Sequence, residues 1–88
     1  MKFEAAYVIC DLETSGLSAD KNLIVEIGAM AINSNLEDVG QYTSLIKPYD
    51  STKIIEPKAL EANGLTINEI NGGKDSKIVY KEFIDFLK

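Results

Sequence analysis

Apolar and polar positions follow two different periods along this chain, and the change falls near Pro48. From Ala5 to Leu12 the sequence is apolar on both alternating faces, with Tyr7 and Ile9 on one and Ala6, Val8, Cys10 and Leu12 on the other. This pattern predicts a strand buried on two sides, a central one. Thr14-Ser15-Gly16-Leu17-Ser18 supplies a turn in which Gly16 is free to take positive φ. A second apolar run with β-branched residues, Leu23 to Ile32, is interrupted by Glu26 and closed by Asn33-Ser34-Asn35. Gln41 to Ile46 alternates as a half-exposed edge strand should, and three strands with short connections make an antiparallel meander.

Past Pro48 the pattern turns helical. Pro57 sits as a first-turn proline for a short helix through Ala62, closed by Asn63-Gly64. Thr66 and Glu69 have the spacing of a capping box, and Asn71-Gly72-Gly73 breaks the chain again. Asp75 or Ser76 then caps a last helix whose apolar residues Val79, Phe83 and Phe86, with Tyr80, Ile84 and Leu87, form one broad stripe that requires a sheet beneath it. A meander followed by a helix is the opening of an α/β layer arrangement, in which the helix should lead to a parallel strand. On that reading the 88 residues are one partial domain.

Composition narrows the function classes. The chain is 45% hydrophobic and 26% charged, the profile of an ordinary globular protein. A single cysteine, Cys10, allows no internal disulfide, and no stretch resembles an export signal or a membrane span, so the expected location is cytoplasmic with no membrane partner. The net charge of −5 and the restriction of basic residues to lysine argue against a phosphate-gripping surface. An acidic site can still meet phosphates when divalent cations lie between. The absence of histidine removes His metal sites and His general bases from these residues.

The candidate chemistry lies at Asp11 and Glu13. Two residues apart on a strand, they leave the same face about 6–7 Å apart at Cα, where two carboxylates repel unless they share a proton or a cation. Oxygen ligands so spaced suit Mg²⁺ or Mn²⁺, and a pair of ions about 3.5–4 Å apart can be spanned by them. The bare alternative is a solvated strand end.

Asp11-Leu12-Glu13-Thr14-Ser15-Gly16-Leu17 resembles the first motif of the DEDD 3′–5′ exonucleases, the family of polymerase proofreading epsilon subunits and of ribonuclease T. Ile24-Val25-Glu26-Ile27-Gly28-Ala29, Leu45-Ile46-Lys47-Pro48 and Asn63-Gly64-Leu65-Thr66 resemble later segments of that family in the same order. The resemblance implies a ribonuclease H-like α/β fold, of which this chain carries the N-terminal half. It also implies that Asp11 bridges two Mg²⁺ or Mn²⁺ ions and Glu13 ligates one of them, so that one ion orients an attacking water and the other stabilises the leaving 3′ oxygen. The backbone around Thr14 would receive the terminal nucleotide of single-stranded DNA or RNA, and Leu17 would wedge against its base. The bland readings are a tight turn for Thr14 and a core contact for Leu17. Glu26 is expected in a structural hydrogen bond, and Gly28 in close packing above its strand.

Departures from the family are Lys58, where an acid often follows the proline, and Asn63, where a histidine often precedes the glycine. The second and third motifs are absent, so two of four carboxylates are present. The expected function is therefore a 3′–5′ exonuclease domain fragment inactive by itself, completed by its natural continuation or by a complementing C-terminal half. The alternative is a non-catalytic half-domain that binds a partner or forms a homodimer through an exposed strand edge.

Overall fold

The computed structural model describes residues 5–88. Three antiparallel strands, β1 (Tyr7–Thr14), β2 (Ile24–Ile32) and β3 (Asp38–Leu45), form one sheet in the order β1-β2-β3. Three helices follow: α1 (Pro57–Ala62), α2 (Ile67–Asn71) and α3 (Ser76–Leu87). The meander-then-helix order expected from periodicity is the order observed.

The middle strand carries the core. Val25, Ile27, Ala29 and Ala31 alternate onto one face of β2 and are all buried. Val25 packs with Leu23, Leu60 of α1 and Ile70 of α2, while Ile27 packs with Ile46 and with Val79 of α3. All three helices therefore cover one side of the sheet, and the other side, bearing Glu26, Gly28 and Met30, is open. Tyr42 reaches from β3 to Phe83 and Phe86 of α3, with ring centroids 6.3 and 6.2 Å away. Its hydroxyl donates to Glu82, which also accepts from Lys74 at 2.9 Å.

The helix boundaries follow local chemistry. Pro57 stands in the first turn of α1, and Gly64 beyond its C-terminus takes φ 71°, a conformation only glycine adopts without strain. Thr66 and Glu69 close a complete capping box on α2, each side chain bonding the other's backbone amide. At α3 the cap is Asp75, which accepts from the Lys77 amide. Gly73 is fixed by space, because a Cβ there would lie 2.9 Å from backbone atoms of Leu45 and Lys47.

Several expectations change. β1 runs from Tyr7 to Thr14, and among the described residues it pairs only with β2, so it lies at an edge. Tyr7, Ile9 and Leu12 are 62, 56 and 48% exposed. Its double apolar pattern states what the strand can be covered by, and no described element covers it. β3 begins earlier than predicted, at Asp38, because hydrogen bonding continues past the point where alternation of side chains is legible. Only part of the α3 stripe is covered. Val79 is buried, whereas Tyr80 and Leu87 remain exposed, since the three-stranded sheet is too narrow to reach them.

Candidate active site

The carboxylates sit in the second half of β1. Alternation along the strand places Asp11 and Glu13 on the open face, opposite the helices. The register puts Glu13 directly across from Glu26 and Asp11 across from Gly28. Like charges directly opposite on a sheet destabilise it unless something intervenes. Glu13 shows the consequence, because packing withdraws part of its hydration and its proton affinity rises above the ordinary glutamate value. The neighbouring Asp11 carboxylate, by its charge and by a hydrogen bond, and the charge of Glu26 raise it further. A group held in this way favours a shared proton or a bound cation.

Glu26 makes no side-chain hydrogen bond among the described residues, so the structural bonding role expected of it is replaced by membership of this acidic face. Gly28 likewise departs from its expected role. A Cβ there would meet only the Asp11 carbonyl oxygen, at 3.9 Å, and no packed neighbour requires a glycine. Its effect is to leave a shallow hollow beside Asp11, lined also by Ile9, Met30, Gln41 and Thr43.

Between Glu13 and Thr14 the register of β1 shifts, with Glu13 opposite Glu26 and Thr14 opposite Ile24. Such an irregularity re-aims the chain that follows. The segment beyond it is held by a dense set of bonds that no motif announces. The buried Ser15 hydroxyl donates to the Ile54 carbonyl at 2.7 Å and accepts from the Leu23 amide at 2.8 Å. Its own amide donates to Leu23, and its carbonyl accepts from Glu56. The Asn22 side chain adds bonds to Ile54 and to Glu56. Gly16 does not take positive φ, contrary to expectation. A Cβ there would displace the Glu56 and Asn22 side chains, which bond to each other across it.

Thr14 and Leu17 lie along this segment. The Thr14 hydroxyl donates to the Gly16 carbonyl, and the Thr14 carbonyl accepts from the Asn63 side chain at 3.1 Å. Asn63, at the C-cap of α1, thereby ties the end of β1 to the helical layer across 49 positions of sequence. Leu17 is fully exposed, which removes the core-contact reading. Thr14 and Leu17 line a hollow of about 480 Å³ with Leu12, Ile24 and Tyr49, distinct from the hollow beside Asp11. The structure thus brings Asp11 and Glu13 together, and Thr14 and Leu17 together, as two groups flanking the bulged end of the exposed strand. Ser15 and Asn22 escaped sequence reasoning because Thr-Ser-Gly reads as any tight turn.

Residues 8–88 match the exonuclease family over nearly the whole chain. The chain belongs to that family. It is 34% identical over 85 residues to the PolC-type DNA polymerase III of Thermotoga maritima and 31% identical over 86 residues to that of Clostridium perfringens, in each case across 97% of this chain. It spans only 6% of the length of those relatives. Among solved structures, exonuclease I in complex with the inhibitor BCBP superposes on 98% of this chain and 19% of its own, with TM-score 0.78 and 21% identity. E. coli exonuclease I bound to a 5cy-dA13 oligonucleotide superposes on 91% of this chain and 17% of its own, with TM-score 0.74 and the same identity. Those likenesses show the ribonuclease H-like exonuclease fold, and the DEDD exonuclease resemblance of the Asp11–Leu17 motif stands. Among the described residues no three acidic, histidine or cysteine side chains converge on a point where they could hold a metal ion. No described helix is long and apolar enough to cross a membrane.

Proposed function

We propose that this chain supplies the first metal-binding half of a 3′–5′ exonuclease site, hydrolysing phosphodiesters at the 3′ end of single-stranded DNA or RNA in an intact parent. The observation that carries the reading is the placement of Asp11 and Glu13 on one open face, with Glu13 held above its ordinary proton affinity first by lost hydration and then by its acidic neighbours. Asp11 and Glu13 supply part of a donor set of the right chemistry, since carboxylate oxygens are hard ligands suited to Mg²⁺ or Mn²⁺. Asp11 and Glu13 would hold the divalent ions, which would supply charge stabilisation and activation of water for phosphodiester hydrolysis.

The rest of the task falls to the chain. Asn63 and the Ser15 bonds fix the backbone at Thr14 against which a terminal nucleotide would rest, and the exposed Leu17 gives its base an apolar surface. A polymerase partnership is supported by the likeness to PolC-type enzymes. With two of the four family carboxylates in place, the 88 residues are inactive by themselves and hold metal weakly.

Incubation with Mn²⁺ and a single-stranded oligonucleotide should give no 3′ trimming, while calorimetry should detect weak Mn²⁺ binding that Asp11→Ala removes. Trimming that Asp11→Ala abolishes would overturn the inactivity and leave the chemistry standing. Absence of Mn²⁺ binding, or binding unchanged in Asp11→Ala, would reduce the pair to a solvated strand end.

A further inference from the structure

We infer that Asn63-Gly64 is a self-modification site, at which the Asn63 side-chain amide is converted to a carboxylate and its hold on the end of β1 is lost. Asparagine followed by glycine closes on itself readily, because glycine has no Cβ to hinder attack by its own amide. The Gly64 nitrogen gives up its proton to solvent and bonds to Asn63 Cγ, the Cγ–Nδ2 bond breaks, and ammonia leaves a cyclic imide behind. Water then opens the ring to aspartate or isoaspartate. Water is the only co-reactant.

The chain holds two Asn-Gly pairs, Asn63-Gly64 and Asn71-Gly72, and the fold treats them differently. Asn71 is the last residue of α2, and the Gly72 amide is held by two acceptors, the Asn68 carbonyl at 3.1 Å and the Glu69 carbonyl at 3.2 Å. A Cβ at Gly72 would already be in van der Waals contact with those same oxygens, at 3.5 and 3.6 Å. Gly64 lies beyond α1 with φ 71°, and its amide donates to the Glu61 carbonyl at 3.0 Å. A Cβ built on it would meet nothing within 4 Å, so a ring has room to form there.

One bond guards Asn63. Its Nδ2, the leaving group, donates to the Thr14 carbonyl at 3.1 Å, so ring closure requires that tether to open first. The reaction then makes the opening permanent. An aspartate carboxylate has no proton to donate at neutral pH and would face the Thr14 carbonyl as a second acceptor. The Asn63 amide is therefore a one-way latch between α1 and the strand that carries Asp11 and Glu13, whether or not those carboxylates hold metal.

The 88-residue chain is incubated in mildly alkaline buffer, folded and in urea, and peptide mass spectrometry follows the amide-to-acid mass gain at Asn63 and Asn71 separately. Asn63 should convert ahead of Asn71 in the folded chain, and the two should convert at similar rates in urea. Ser15→Ala removes bonds beside Thr14 without touching Asn63. It should speed conversion at Asn63 by about threefold to tenfold, equivalent to ~0.6–1.4 kcal/mol, and leave Asn71 unchanged. Conversion at Asn71 first, or at equal rates in the folded chain, overturns the inference. An unchanged Asn63 rate in Ser15→Ala, or equal acceleration at both sites, overturns it by removing the tether as the gate. Should Ser15→Ala fail to fold, the comparison of Asn63 with Asn71 in the folded and unfolded parent decides alone.

Discussion

Strands β1 and β2 look alike as sequence and behave as opposites in the fold. Each is a run of eight or nine residues dominated by apolar side chains and broken by acids. In β2 the residues of one face are sealed beneath three helices, with Val25 and Ala31 at 0% exposure. In β1 apolar residues lie exposed on both faces, and the acidic pair shares the open one. Hydrophobicity records what a strand is suited to be covered by, and coverage depends on which neighbours the chain provides. The strand that carries the core is therefore not the strand that carries the candidate pair Asp11 and Glu13, and the two can be altered separately.

The largest test of that division is a matched pair of truncations. Ile27→Ala, in β2 beneath Val79, should cost about 2–4 kcal/mol in urea denaturation. Ile9→Ala, in β1, should cost under about 0.5 kcal/mol. Equal losses would mean that β1 is covered after all. Glycines divide along the same line. Gly73→Ala drives a methyl into backbone at Leu45 and Lys47 and should cost about 1–3 kcal/mol. Gly28→Ala, with open space above it, should leave the denaturation midpoint nearly unchanged.

A smaller effect tests the side-chain tether between β1's end and the helical layer. Asn63→Ala removes its bond to the Thr14 carbonyl and should cost about 0.5–1.5 kcal/mol. The loss should appear as faster amide exchange around Thr14, with the β2 amides little affected. Uniform acceleration across both strands would show that the tether holds the whole fold.

The smallest effect concerns pH. Glu13 is more readily protonated in the fold than in the unfolded chain, so its contribution to stability is complete below the ordinary glutamate value of 4.5 and is lost as pH rises through its raised value. Asp11→Asn should bring the Glu13 titration, followed by carboxyl carbon NMR, back down toward the ordinary value. It should also raise the melting temperature slightly at neutral pH. An unchanged Glu13 titration in Asp11→Asn would show that hydration loss alone sets it.

Local information settled much of this protein. The capping box of Thr66 and Glu69, the proline at the start of α1, the glycine after it and the Asp75 cap are satisfied within a few residues, so their bonds are implied by spacing alone. Asp11 and Glu13 share a face because strand geometry has a period of two, whatever surrounds it. The exonuclease motif could therefore be identified before any fold was known. What the sequence could not reveal depends on residues far apart meeting in space. The Ser15 bonds to Ile54, the reach of Asn63 to Thr14, the backbone crowding that makes Gly73 a glycine, and the meeting of Glu26 with Glu13 all join separate elements. Whether β1 lies inside or at the edge belongs with them, because burial is a relation between a strand and its neighbours, and only the tertiary structure supplies the neighbours.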